Sequence, residues 1–271
     1  MSLPHPVPAD GASVAADPLP PHSPSPSRRG PLPAGVGVAL VTVFSAHGAV
    51  DVPATVARAE ACVALGIASV LVSGTTGEAL RLSVDDRVAL VTAVKAAIPR
   101  TPVIVGTGNP SAGRGLETTR AVASASAPDA LLVLAPGDAE PVGYYAEARR
   151  ASGGIPLLAY HFPAVSPPGV ETGTVPALDV DGIKDSSGSS NRLAELVEAG
   201  VRVYVGSPTH LAVAGACGAA GALLALANVA PSLCVAAWNG DMGAQRRLFA
   251  VHVRAAAGGL GYLKATPPDG A

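Results

Sequence analysis

Asp179-Val180-Asp181-Gly182-Ile183-Lys184-Asp185-Ser186-Ser187-Gly188 holds the pattern that decides how this chain folds. A short apolar run ends in a reactive side chain and breaks into a turn of small polar residues. The sequence has three lysines (Lys95, Lys184 and Lys264) against fifteen arginines, so a lysine's position carries information. Arginine is permanently charged, whereas a desolvated lysine can give up its proton and become a nucleophilic amine. An ordinary lysine, with a pKa of about 10.4, is protonated at neutral pH. Lowering that by about three units means destabilising the cation by roughly 4 kcal/mol, which burial in an apolar barrel can supply. A lysine at a strand end is usually a solvated surface residue. Lys184 is flanked by Val180 and Ile183 and followed by Ser-Ser-Gly, which makes it a candidate nucleophile.

The same unit recurs along the chain. Apolar runs at Val36–Val43, Ala68–Ser73, Pro102–Gly106, Ala130–Leu134, Ile155–Tyr160, Val180–Lys184, Val201–Val205 and Gly218–Leu224 lack strict alternation. Such runs suit strands covered on both faces in a parallel sheet. Between them Val52–Leu65, Val84–Ala97, Gly115–Ala125, Gly143–Ala151, Asn191–Ala199 and Thr209–Cys217 read as helices. Asp51 before Pro53 predicts one helix start, and Ser83 with Asp86 predicts a capping box at another. The proline-rich segment Ser166–Leu178 has room for a short helix at most. Eight strands alternating with helices predict an α/β fold, a (β/α)8 TIM barrel, over an open doubly wound sheet. No GxGxxG or GxxxxGK[ST] follows any of these runs, and Gly106-Thr107-Gly108 lacks a third glycine.

Composition narrows the function classes. Residues are 49% apolar but 3% aromatic, so the core must be Ala, Val and Leu. Net charge is −2 with no basic block, which argues against nucleic acid as a partner. Cys62, Cys217 and Cys234 are scattered without CxxC spacing, as reduced thiols of a cytoplasmic protein would be. No unbroken apolar stretch of about twenty residues predicts a membrane span. Residues 1–33 contain ten of the 26 prolines and predict a disordered extension. Arg28-Arg29 ahead of Gly35–Phe44 imitates a twin-arginine export signal, but that apolar run reads as the first core strand. The expected organisation is therefore an extension at 1–33, a catalytic barrel at 34–240 and a residual C-terminal helical segment at 241–271.

Chemistry in this fold lies at the C-terminal ends of the strands. Strand two runs into Gly74-Thr75-Thr76-Gly77-Glu78, strand five ends at Tyr160, and strand six ends at Lys184. A lone strand-end tyrosine is more often a packing residue, and a lone Gly-Thr-Thr-Gly more often a tight turn. Together at one rim they form a constellation. The hydroxyls and backbone amides of the turn suit a carboxylate, and a phenol can shuttle protons. A neutral lysine attacking a 2-keto acid gives an iminium, an electron sink for making or breaking a neighbouring C–C bond. That chemistry needs no metal and no organic cofactor. A metal-dependent aldolase is a poor alternative, because the six histidines form no ligand set.

These residues resemble the dihydrodipicolinate synthase/N-acetylneuraminate lyase family of Schiff-base (class I) aldolases. The resemblance spans roughly Val36 to Asn239. It is carried by Val41-Thr42-Val43-Phe44, Gly74-Thr75-Thr76-Gly77-Glu78, Pro102–Gly108, Tyr160-His161-Phe162-Pro163, Gly182-Ile183-Lys184-Asp185 and Ala227-Asn228-Val229-Ala230. It implies that Lys184 forms the Schiff base with pyruvate or a 2-keto acid and that Tyr160 relays protons. It further implies that Thr75 and Thr76, in the turn that starts at Gly74, bind the carboxylate or assist the relay. Leu223 matches a position whose backbone touches the pyruvate moiety.

The departures bear on the substrate. Members that make dihydrodipicolinate carry a tyrosine pair where this chain has Gly137-Asp138, and an arginine where it has Val165. Losing that bidentate clamp weakens selection for aspartate semialdehyde, and the Pro163-Ala164-Val165-Ser166 loop resembles the neuraminate lyase and sugar-acid aldolase branches, which implies a sugar-acid or hydroxy-keto-acid aldolase. True dihydrodipicolinate synthase, a keto-acid dehydratase and a catalytically weakened 2-keto acid-binding homologue are the alternatives. Asp138 is either a substitute for the missing phenol or a loop carboxylate, and the second reading stands first. His161 should point away from Tyr160. The expected partners are pyruvate, an aldehyde and further copies of the chain. The expected C-terminal helix, Ala244–Ala257 before Gly258-Gly259, is shorter than the family's usual extension, which puts the usual tetramer in doubt.

Overall fold

The structure, a computed structural model, describes residues 32–270. Eight parallel strands close into a barrel in the order β1-β2-β3-β4-β5-β6-β7-β8. They are β1 (Gly35–Ala39), β2 (Ser69–Val72), β3 (Val103–Gly106), β4 (Ala130–Leu134), β5 (Leu157–His161), β6 (Gly182–Asp185), β7 (Val203–Val205) and β8 (Gly221–Leu224). β1 pairs with both β2 and β8, which closes the ring. The helices α1 (Val52–Ala64), α2 (Val84–Ala97), α3 (Ala112–Ala125), α4 (Pro141–Ala151), α5 (Ser190–Glu198) and α6 (Leu211–Ala216) wrap it, and α7 (Pro231–Trp238) and α8 (Met242–Ala265) follow.

The continuous apolar runs are explained by burial on both faces. Leu71, Ile104, Leu132, Leu158 and Leu223 fill the barrel interior. Their neighbours Val70, Val105, Val133, Ala159 and Leu224 pack outward against the helices. This alternation puts Tyr160 and Lys184, which are register partners, on the inner face at the rim. His161 and Asp185 pair one residue later and face outward.

The predicted helix starts form. The Asp51 side chain accepts from Ala54 N, and Ser83 and Asp86 make the reciprocal capping box. α3 begins three residues before the glycine from which it was expected, because Asp138 from the β4–α4 loop accepts Ala112 N at 2.9 Å. Glu140 likewise caps α4 through Val142 N and Gly143 N. The segment expected as one helix over Thr209–Cys217 is a 3-10 turn, Pro208–His210, followed by α6. Ser166–Leu178 holds only the 3-10 turn Thr172–Ala177.

Two boundaries need correcting. Composition places Leu32 and Pro33 in the extension, but Leu32 is buried in the inner core and Pro33 O accepts a hydrogen bond from Tyr204 Oη at 2.7 Å. The expectation of disorder concerns residues 1–31, which lie outside the described residues. At the other end, α8 runs past Gly258-Gly259 to Ala265 instead of stopping at Ala257. Gly259 (φ 55°, ψ −146°) takes a kink that side-chain-bearing residues rarely adopt, and the helix resumes beyond it. Arg58 of α1 then gathers its last carbonyls, donating to Leu263 O at 2.9 Å, Lys264 O at 2.7 Å and Thr266 O at 3.1 Å. Among the described residues no helix is long and apolar enough to cross a membrane, and no cluster of His, Cys, Asp and Glu could hold a metal.

Candidate active site

The turn after β2 is held in an unusual shape. Ser73 and Glu78 both have φ 56°, a left-handed conformation that costs a non-glycine residue on the order of 1–3 kcal/mol. Its supports lie outside the turn. The buried Arg87 guanidinium reaches from α2 to the carbonyls of Ser73, Ala79 and Gly106. Thr42 Oγ1 donates to Gly77 O at 2.8 Å. Gly106 permits the approach, since a Cβ there would lie 2.3 Å from Ser73 O. Thr75 and Thr76 project from this braced turn. Their side chains make no hydrogen bond among the described residues, so both hydroxyls are available to a ligand.

Lys184 is 5% exposed and has no ion-pair partner among the described residues. Its Nζ sits 4.5 Å from the centroid of the Tyr160 ring. The adjacent carboxylate is engaged elsewhere. Asp185 pairs with Arg192 Nε and accepts from Ser187 N at 2.8 Å. Arg192 Nη1 in turn donates to Thr172 Oγ1 at 2.8 Å, which pins the turn that follows the lysine. Tyr160 is held by its backbone: its N–H donates to Tyr145 Oη at 3.3 Å, and Tyr145 Oη donates to Val133 O at 2.9 Å. Its ring stacks on Phe162 at 5.8 Å, and its own hydroxyl has no hydrogen bond among the described residues.

Two cavities meet at these residues. The larger, about 480 Å³, is lined by Lys184, Tyr160, Thr75, Thr76 and Leu223, with Ser186 and Ser207 beside them. The smaller, about 250 Å³, shares Thr75 and Tyr160 and adds Gly74. The structure thus gathers the residues singled out in the sequence around one mouth, with Thr75 and Tyr160 common to both compartments. Tyr160 Oη and Thr75 Oγ1 form no hydrogen bond with each other in this state.

Sequence reasoning missed the roof. Ala255, Ala256, Gly259, Leu260 and Leu263 of α8 close over the larger cavity. Lys264 ion-pairs with Glu78 at the end of the β2 turn, and Arg81 Nη1 meets the other Glu78 oxygen at 2.6 Å. Both cations lie over the Phe44 ring, at 4.8 and 4.0 Å from its centroid. Burial pushes the Glu78 carboxyl up, but the hydrogen bonds from Lys264 and Arg81 outweigh it and hold the group below its usual range. Arg87 was also missed. Its one signal is that it lies on the apolar face of α2 with Leu90, Val91 and Val94.

Asp138, in the β4–α4 loop, and His161, at the end of β5, both have structural partners. Asp138 caps α3 and lines neither cavity. His161 Nδ1 accepts Val170 N at 3.0 Å, and burial, with Arg192 nearby, lowers its pKa.

A parallel barrel with an interior lysine on β6, an adjacent tyrosine on β5 and a hydroxyl-rich turn after β2 defines a Schiff-base, class I lyase or aldolase. The chain belongs to the Dihydrodipicolinate synthetase family, whose sequence profile matches residues 32–247. It is 32% identical over 250 residues to a 4-hydroxy-tetrahydrodipicolinate synthase of Corynebacterium aurimucosum, covering 85% of this chain and 82% of the relative. An Acidithiobacillus ferrooxidans protein of the same name is 34% identical over 234 residues, covering 80% and 79%. Among solved structures, YagE, a prophage protein of Escherichia coli K12 in complex with pyruvate, superposes with a TM-score of 0.76 at 23% identity, covering 85% of this chain and 86% of that one. The Acinetobacter baumannii dihydrodipicolinate synthase complexed with pyruvate gives 0.74 at 25% identity, covering 82% and 83%.

Proposed function

We propose that this protein is a pyruvate-dependent aldolase that makes or breaks 4-hydroxy-2-keto acids, with Lys184 as the Schiff-base nucleophile. One observation carries the reading: Lys184 and Tyr160 are register partners on the inner face, and both line the cavity that Thr75 and Thr76 also line. The pyruvate complexes of structural relatives support the keto acid.

In the synthetic direction the Nζ lone pair attacks C2 of pyruvate, and the former carbonyl oxygen, given a proton by the Tyr160 phenol, leaves as water. The Thr75 and Thr76 hydroxyls and the turn amides hold the carboxylate. The Tyr160 oxygen then takes a proton from C3, which gives the enamine. Its electron pair forms a bond to the aldehyde carbon, while the aldehyde oxygen takes a proton that the Tyr160 phenol can supply. Water then hydrolyses the iminium and frees the lysine. No metal or organic cofactor enters these steps.

Enamine formation can be followed without knowing the aldehyde. Incubated with pyruvate in D2O, the enzyme should exchange the C3 protons faster than buffer does, and Lys184→Ala should not. Exchange by Lys184→Ala at the wild-type rate would assign the chemistry to another group. A second reading, true 4-hydroxy-tetrahydrodipicolinate synthase, has the names of the relatives in its favour. Against it, Val165 lines the smaller cavity where that activity would want a carboxylate clamp, and Asp138 is held at the start of α3.

A further inference from the structure

The two compartments differ in chemistry, and the difference bears on the aldehyde. The larger contains the amine and the hydroxyls of Thr75, Thr76, Ser186 and Ser207, the groups a keto acid requires. The smaller shares Thr75 and Tyr160 with it, and carbon dominates its walls through Pro110, Leu132, Leu134, Val165 and Leu80, with the Ser73 hydroxyl and the Glu78 carboxyl as its further polar lining. Leu132 and Leu134 belong to the barrel's inner core, and Val165 packs against it. Among the described residues one cation, Arg81, lines this wall. Arg81 is bonded to Glu78 at 2.6 Å and lies over Phe44, and Glu78 is shared in turn with Lys264. Among the described residues, then, the smaller compartment offers a second carboxylate no unpaired positive charge, and entry there would strip such a group of water without compensation. Its volume of about 250 Å³ compares with roughly 150 Å³ for an apolar cavity that takes up benzene.

From this, and resting on the Schiff-base reading above, we infer that the smaller cavity is the acceptor subsite and that the acceptor is an uncharged, apolar aldehyde. Its carbonyl lies at the shared boundary, where the enamine carbon can reach it from the larger compartment and the Tyr160 phenol can protonate the new alkoxide. Its hydrocarbon tail lies between Leu132, Leu134 and Val165. The product is a 4-hydroxy-2-keto acid with an apolar tail and a single carboxylate, the one that came from pyruvate.

Two aldehydes of matched shape isolate the charge: 4-methylpentanal and succinic semialdehyde. At saturating pyruvate, kcat/KM for 4-methylpentanal should exceed that for succinic semialdehyde by at least about tenfold, the usual scale of discrimination by an apolar pocket. Val165→Arg, which places a cation in the smaller cavity, should narrow or reverse that ratio. Borohydride trapping of pyruvate is run on the same samples and separates the two levels of the inference. A trapped adduct with equal use of both aldehydes, with preference for succinic semialdehyde, or with turnover of neither overturns the acceptor assignment and leaves the Schiff base standing. A wild-type preference that Val165→Arg does not move also overturns the placement in this cavity. No adduct overturns both.

Discussion

In the proposed mechanism Lys184 and Tyr160 divide the work: the amine would hold the substrate covalently, and the phenol would move protons around it. Tyr160→Phe keeps the ring that lies under Nζ and the stack on Phe162, so it should leave the site's shape intact. We expect kcat for aldol cleavage or synthesis to fall about 10²–10⁴-fold while pyruvate can still be trapped on the enzyme. An unchanged kcat would assign the protons to another group. Arg87 acts at a distance. Its planar fork reaches three carbonyls that fix the strained β2 turn, and an ammonium cannot reproduce that geometry. Arg87→Lys should raise KM for pyruvate more than it lowers kcat and should cost about 2–4 kcal/mol in denaturant unfolding, since it breaks a buried charged network. The placing of Lys184 at the inner rim was legible because lysine is scarce here and because apolar residues precede it. Arg87 was not, because a buried arginine and a surface arginine look alike until the carbonyls it serves come together in space.

At the scale of elements, α8 turns an open barrel mouth into a roofed cavity, and the Lys264–Glu78 pair joins its end to the turn after β2. Glu78 has its folded pKa lowered by Lys264 and Arg81, so the pair's contribution is present above the ordinary carboxylate range and is lost as pH falls through the folded value. A Tm series from neutral pH downward should therefore show a loss on acidification that Lys264→Gln reduces. Equal acid sensitivity in both proteins would show that the pair does not secure the roof. The helix's continuation past Gly258-Gly259 could not be read from local propensity, which correctly marks a double glycine as a stop. Long-range bonds from Arg58 and Glu78 hold the short segment beyond it. The capping residues of α1 and α2 were legible because their partners lie within one turn. The Asp138 cap on α3 was not, because it comes from a different loop.

Over the whole molecule the strand count, the parallel order and the gathering of the candidate residues at one rim were all legible in the sequence. Strands buried on both faces must be continuously apolar, and eight of them with helices between leave few closed arrangements. The strand limits came out too long at the N-terminal ends of β5, β6, β7 and β8, where apolar residues continue before ladder pairing starts. The two-compartment mouth could not be read in advance, because its walls come from separate βα loops and from α8. What would unite these features is the proposed covalent bond between pyruvate and Lys184. Borohydride reduction in the presence of pyruvate, followed by intact mass and peptide mapping, measures that bond directly. The account predicts one reduced pyruvate per chain, located on Lys184 and absent from Lys184→Ala. No adduct, or an adduct on Lys95 or Lys264, would contradict it.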